Sequence, residues 1–123
     1  MAYCTYTELS ALTGTALSST ILEAIIAQGD REIDGILAKE GLSGSGDVIK
    51  TASLELGIAG VITRHRMDGT QPGSISMGGL TLTDNLDAAI SQHRNLGLKL
   101  VQDFIDNNLT NIEEGYIAIT NGW

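Results

Sequence analysis

This 123-residue sequence predicts an all-α fold: a small bundle of one short and three longer helices, with a long loop patterned as a β-hairpin. Apolar residues recur at spacings of three and four through three long stretches, the period of a helix buried on one face. Apolar residues make up 42% of the chain but aromatics only 4%. The core must therefore be packed from Ile, Leu, Val and Ala at close range, which suits helices. The length is that of one domain, and folding it removes roughly two thirds of the surface its unfolded chain exposes.

The elements follow in order. Thr5 precedes Glu8 by three residues, the spacing of a capping box, so a short helix is expected from Tyr6 to Leu12, ended by Gly14. Thr20 and Glu23 repeat that spacing before Leu22, Ile25, Ile26, Gly29, Ile33, Ile36 and Leu37. At about 100° per residue these span an arc of roughly 120°, and Glu23, Ala27, Asp30 and Asp34 group on the other side as an acidic face. GLSGSG, residues 41–46, has the composition of a flexible connection, and Asp47 is placed to cap a third helix over Val48 to Met67. That helix carries two apolar stripes, Ile49, Ala52, Leu56 and Ala59 on one side and Leu54, Ile58 and Val61 on another. It needs two neighbours, from its own bundle or from a second subunit. Gly57, Ala59 and Gly60 would let one of them come close.

Residues 68–83, DGTQPGSISMGGLTLT, hold the only proline, Pro72, and alternate like strands at Ser74 to Met77 and Leu80 to Leu82 around Gly78 and Gly79. A connection of this length is more than two helices need. Thr83 or Asp84 then caps a last helix to about Asn107, with Leu86, Ala89, Ile90, His93, Leu96, Leu100, Val101 and Phe104 on one face. The expected division is a helical domain over 1–106 and a tail over 107–123, whose Tyr116 and Trp123 suit docking on a partner.

A formal charge of -8 with seven Lys and Arg argues against a nucleic-acid reader, which needs clustered cations, though an acidic surface can sit beside DNA that slides past without sticking. No apolar run reaches the roughly 18 residues of a membrane span, and the first residues lack a signal-peptide pattern, so synthesis in the cytoplasm without membrane insertion is expected. Cys4 is the single cysteine, which excludes an internal disulfide and a thiolate metal cluster within one chain. No metal or cofactor is expected.

Neither histidine has the surroundings of a catalytic or metal site. His93 falls inside an apolar stripe, as a satisfied core histidine does, and His65 sits between Arg64 and Arg66, which disfavour a bound cation. Glu23, Asp30, Glu32 and Asp34 are read as a solvated acidic face rather than an acid-base pair. GLSGSGD and SMGGLT lack the lysine and hydroxyl offsets of a phosphate loop. Arg64 and Arg66 either complement the helix dipole or pair with an acidic neighbour.

The opening YCTYTELSALTG, the helix ILEAIIAQGDREIDGIL, the apolar helix ending near RHRM, and PGSISMGGLTL followed by a long helix form an ordered set over about Met1 to Asp106. In that order they resemble the head-tail connector, or head-completion, proteins of tailed bacteriophages. The resemblance implies a non-enzymatic part of the virion neck, made in the bacterial host cytoplasm. Such a protein is a homo-oligomeric ring below the portal protein that extends the channel through which DNA passes and docks the next neck or tail-completion protein. It further implies that the loop engages a neighbour through Ser74, Ile75, Ser76, Met77, Leu80 and Leu82. The acidic face through Glu23, Asp30 and Asp34 would then either face the channel and repel phosphates or lie on the outside of the ring. Apart from the resemblance, Arg64 and Arg66 are candidate subunit contacts, and the tail with Tyr116 and Trp123, which lies outside the resembling region, is either an anchor for a partner or an extra strand that closes the subunit on itself.

Two other classes fit parts of the sequence. An acidic regulatory protein or DNA-mimic inhibitor, occupying a basic site on a nucleic-acid enzyme, would use the net charge and the stripe through Asp30 and Asp34. A small enzyme would need His93 beside a helix carboxylate.

Overall fold

Thr5 opens the first helix as its spacing predicts, its side chain accepting from the backbone N–H of Glu8 while Glu8 returns a bond to the N–H of Thr5. The computed structural model describes the backbone of residues 2–67, 75–77, 80–82 and 86–120, and the side chains of 2–66 and 87–108. Four helices and one strand pair make up the elements so described: α1 (Tyr6–Thr13), α2 (Ser19–Lys39), α3 (Gly46–Met67), β1 (Ile75–Met77), β2 (Leu80–Leu82) and α4 (Leu86–Thr120). It is a small all-α bundle.

Several boundaries differ from expectation. Helix α2 is capped by Ser18, whose side chain accepts from the N–H of Ile21, and not by Thr20. Gly46, at φ +83°, starts α3, so Asp47 sits in the first turn instead of capping it. GLSGSG begins with a built turn, and residues 42–45 have no regular structure. Gly41, at φ +69°, and Leu42 donate to the carbonyls of Ala38 and Leu37, the paired bonds of a Schellman motif. The expected caps of α4, Thr83 and Asp84, lie outside the described residues.

The largest correction concerns residues 107–120, expected to be a tail. Helix α4 continues to Thr120, giving 35 residues. No proline interrupts LTNIEEGYIAIT, and its one glycine, Gly115, costs only about 1 kcal/mol of propensity.

Side-chain pairs set the helix directions. Ile25 lies against Gly60, Gly29 against Leu56 and Asp30 against Ser53, so α2 and α3 are antiparallel. Arg66 meets Asp87, Glu55 meets His93 and Leu56 meets Gly97, so α4 runs back along α3. α2 and α4 are therefore parallel, joined by Glu32 and Arg94.

Helix α3 is central. Its two stripes, expected to need a partner subunit or two bundle helices, are both covered within the chain. Cys4, Leu9, Leu22, Ile26, Ile58, Val61, Ile62 and Ala89 form one core cluster, and Leu54 packs half-buried against it. Ile33, Leu37, Ile49, Ala52, Leu56, Val101 and Ile105 form the other. Glycines set the spacing: a Cβ on Gly57 would lie 3.0 Å from Leu9 Cδ2, and one on Gly60 2.5 Å from Ile25 Cγ2. Each glycine costs about 1 kcal/mol of helix propensity, offset by the contact it permits. Leu96, expected on the packed face of α4, is 42% exposed, because Gly97 beside it takes the position against α3.

Candidate interaction surfaces

Asp30 is not part of an acidic exterior. It is 4% exposed, accepting 2.9 Å from the backbone N–H of Tyr3 through Oδ2 and 2.6 Å from the Ser53 hydroxyl through Oδ1. Ser53, also buried, lies 3.1 Å from Cys4 Sγ. A carboxylate can occupy this interior because both its oxygens are engaged. Burial pushes the Cys4 thiol up, so this is a packed, unreactive cysteine. The signal was present in the sequence: Leu22, Ile26, Asp30, Ile33 and Leu37 recur by four, four, three and four, which places Asp30 in the middle of the buried stripe.

The other two members of the expected channel-facing stripe behave differently. Asp34 accepts a hydrogen bond from the Tyr3 hydroxyl. Burial, together with that bond, pushes the Tyr3 phenol up to about 12. Glu23 is exposed and lines a groove of about 520 Å³ with Tyr6, Ala27 and Arg31, beside the N-terminal segment. The stripe is therefore one exposed glutamate, one aspartate tied to Tyr3 and one core residue.

Arg66 pairs with Asp87 of α4 in the same chain. Arg64 lines a second open groove of about 600 Å³ between α2, α3 and α4. Its walls include Ile21, Ile25, Leu56 and Ile90, its floor Gly29, Ala59 and Gly60, and its rim Glu32 and Arg94. Arg94 donates to both oxygens of Glu32, one bond measuring 3.1 Å, and Glu32 raises the affinity of the guanidinium for its proton. No sequence pattern announced this groove, which exists only where three helices meet.

Among the expected loop contacts, β1 and β2 pair antiparallel with Ile75 opposite Leu82, Ser76 opposite Thr81 and Met77 opposite Leu80. Ser74 and Trp123 lie outside the described residues, and Tyr116 is within helix α4.

The two histidines are both engaged in bundle contacts. His93 Nδ1 lies 2.6 Å from Glu55 Oε2, a half-buried pair joining α4 to α3. His65 Nε2 lies 2.7 Å from Thr15 Oγ1 and ties α3 to the segment after α1. His93 thus stands beside a helix carboxylate, but neither residue lines either groove. Among the described residues no three His, Cys, Asp or Glu group as metal ligands, and no helix is long and apolar enough to cross a membrane. No family model, curated protein or solved structure matches the chain.

Proposed function

We propose that this chain is a structural head-tail connector of a phage or prophage. In this reading it forms a ring below the portal protein in the virion neck, extends the DNA channel and docks the next neck or tail-completion protein. The observation that carries the reading is the connection between α3 and α4. The two helices are antiparallel neighbours, which a link of about 2 to 8 residues would join. The chain instead spends everything between Met67 and Leu86 there and builds a strand pair within it. Short strands in such a connection are suited to adding to a neighbour's strand during assembly. The ordered set of segments that resembles the connector family adds to this.

The acidic-inhibitor reading keeps the net charge but loses part of its stripe: Asp30 is in the core, while Asp34 is exposed and holds Tyr3.

The test is to mix the purified chain with isolated portal rings and follow co-sedimentation and ring-shaped additions by electron microscopy. Binding is expected, and Ser76→Pro, which removes a backbone donor from β1, should weaken it by about tenfold or more. A chain that neither assembles nor binds portal rings would sink the proposal.

A further inference from the structure

We infer that residues 2–4 form a strap that lifts as a unit while the helices stay packed, with Tyr3 as its latch, and that lifting it opens the cleft between α2 and α3 that holds Asp30 and Ser53. The device is independent of the connector reading.

The strap belongs to no helix or strand, yet two adjacent residues of it join both halves of the core. Cys4 is part of the first core cluster, and Tyr3 packs against the second. Tyr3 also supplies the polar holds on α2: its backbone N–H on Asp30 and its hydroxyl on Asp34, one turn further along. Its ring rests on the turn before α3, where a Cβ on Gly44 would stand 2.6 Å from the hydroxyl oxygen. A single residue therefore latches the segment across α2 and the turn that follows it.

Helix α1 is anchored separately. Its capping box starts at Thr5, Glu8 pairs with Lys50 on α3, and the buried Leu9 lies against Gly57. Beyond its far end Thr15 meets His65. Thr5 itself is extended, at φ -109° and ψ 157°, so the chain can swing there without unwinding a helical residue.

Lifting the strap leaves no buried charge stranded. A groove of about 520 Å³ runs between Ala2 and Tyr6 on one side and Glu23 and Ala27 on the other, and it reaches the buried Cys4 and Asp30. With the strap lifted, Asp30 keeps the Ser53 hydroxyl on Oδ1, and the groove admits water to Oδ2 in place of Tyr3. A segment without secondary structure, held at few points beside open solvent, belongs to the low end of the local stabilities within a fold.

Cys4, the single cysteine and 3% exposed, reports the open state, because a thiol reagent reaches it only when the strap lifts or the whole chain unfolds. The experiment follows labelling of the full chain by an aromatic disulfide reagent at rising urea, below and through the unfolding transition. Lifting exposes little surface, so the native-state rate should be slow and almost level in urea until the transition begins. Tyr3→Phe, which deletes the hydroxyl, and Gly44→Ala, which displaces the ring, should each speed labelling without urea by about threefold to tenfold. Ile62→Val, in the core nine residues along α3 from Ser53, should lower the urea midpoint and leave that rate unchanged. A rate that climbs with urea as steeply as global unfolding does, or that Ile62→Val raises in step with the lost stability, would mean that only unfolding uncovers Cys4 and would overturn the inference. So would a rate that neither latch variant changes, or wild-type labelling as fast as that of the urea-unfolded chain.

Discussion

The hydroxyl of Ser53 on α3 donates a 2.6 Å hydrogen bond to Asp30 on α2, in a site where the two residues are 1% and 4% exposed. With Tyr3 donating its backbone N–H to the other carboxylate oxygen, one buried anion ties the N-terminal segment, α2 and α3 together. Among the described residues no buried side-chain nitrogen or oxygen lacks a partner, so the network is fully satisfied. Partly dismantling such a network costs more than its bonds contribute, because the groups left behind are already out of water.

Asp30→Ala should therefore lower the unfolding free energy by about 2 to 4 kcal/mol. Asp30→Asn keeps one acceptor and the shape, and should cost about half as much. Urea unfolding followed by circular dichroism measures both. A change below about 0.5 kcal/mol for Asp30→Ala, the range of an ordinary surface substitution, would contradict the network's role.

Two glycines should respond in opposite directions to alanine. A Cβ on Gly97 would stand 3.0 Å from Leu56 Cγ and 3.1 Å from the carbonyl oxygen of Ala52, whereas one on Gly35 meets nothing within 4 Å. Gly97→Ala should destabilise by about 1 to 3 kcal/mol through separation of α3 and α4. Gly35→Ala should stabilise by about 0.5 to 1 kcal/mol, since it gains helix propensity at no steric cost. Thermal melts of the two variants side by side give the signs directly.

Tyr3 predicts the alkaline limit. Its phenol is held up to about 12 in the folded chain against 10.0 when free, so between those values the unfolded chain has lost a proton that the folded chain keeps. Stability contributed by Tyr3 is complete below about pH 10 and declines as pH rises towards 12. Tyr3→Phe should flatten this decline in a plot of urea midpoint against pH. A wild-type midpoint that is level across that window would be the contrary result.

At the acid end, Glu8 is held below its ordinary value, first by its hydrogen bond with Lys50 and then by the N–H of Thr5. A depressed carboxylate contributes stability that is present above the unfolded value of 4.5 and is lost as pH falls through the folded one. Glu8→Gln should reduce the dependence of the thermal midpoint on pH below 4.5 and lower the midpoint at neutral pH by the same small amount, small because the ion pair is exposed. A variant with the same acid-limb slope as wild type would remove Glu8 from the account.

His93 and Glu55 should behave as a structural pair. His93→Ala and Glu55→Ala should each destabilise, and the double variant should cost less than the sum, with a coupling of about 1 kcal/mol. Independent losses would mean that the 2.6 Å contact contributes nothing to stability.

Local chemistry made much of this fold legible. The capping box of Thr5 and Glu8, the left-handed Gly14 at φ 63° and the stripe of Leu22, Ile26, Ile33 and Leu37 depend on residues within a turn or two of each other, and the structure has all of them. The small residues of α3 correctly announced close neighbours. The course of α4 beyond Asn107 is not legible locally because Asn107, Asn108, Thr110, Asn111 and Gly115 lower helix propensity there, and weak local propensity does not locate a helix end.

The sequence by itself determined the class of fold, the identity of most core residues and the extra length between α3 and α4, since each follows from spacing along the chain. Only the tertiary structure decided which helix faces which. It moved Asp30 from a supposed acidic exterior into the core, paired Arg66 with Asp87 inside the chain and opened a groove where α2, α3 and α4 meet. The physical reason is that periodicity reports which side of a helix is apolar, whereas the cost of burying a charge depends on partners that arrive from far along the chain. For Asp30 those partners are Tyr3 and Ser53, separated from it by 27 and 23 residues.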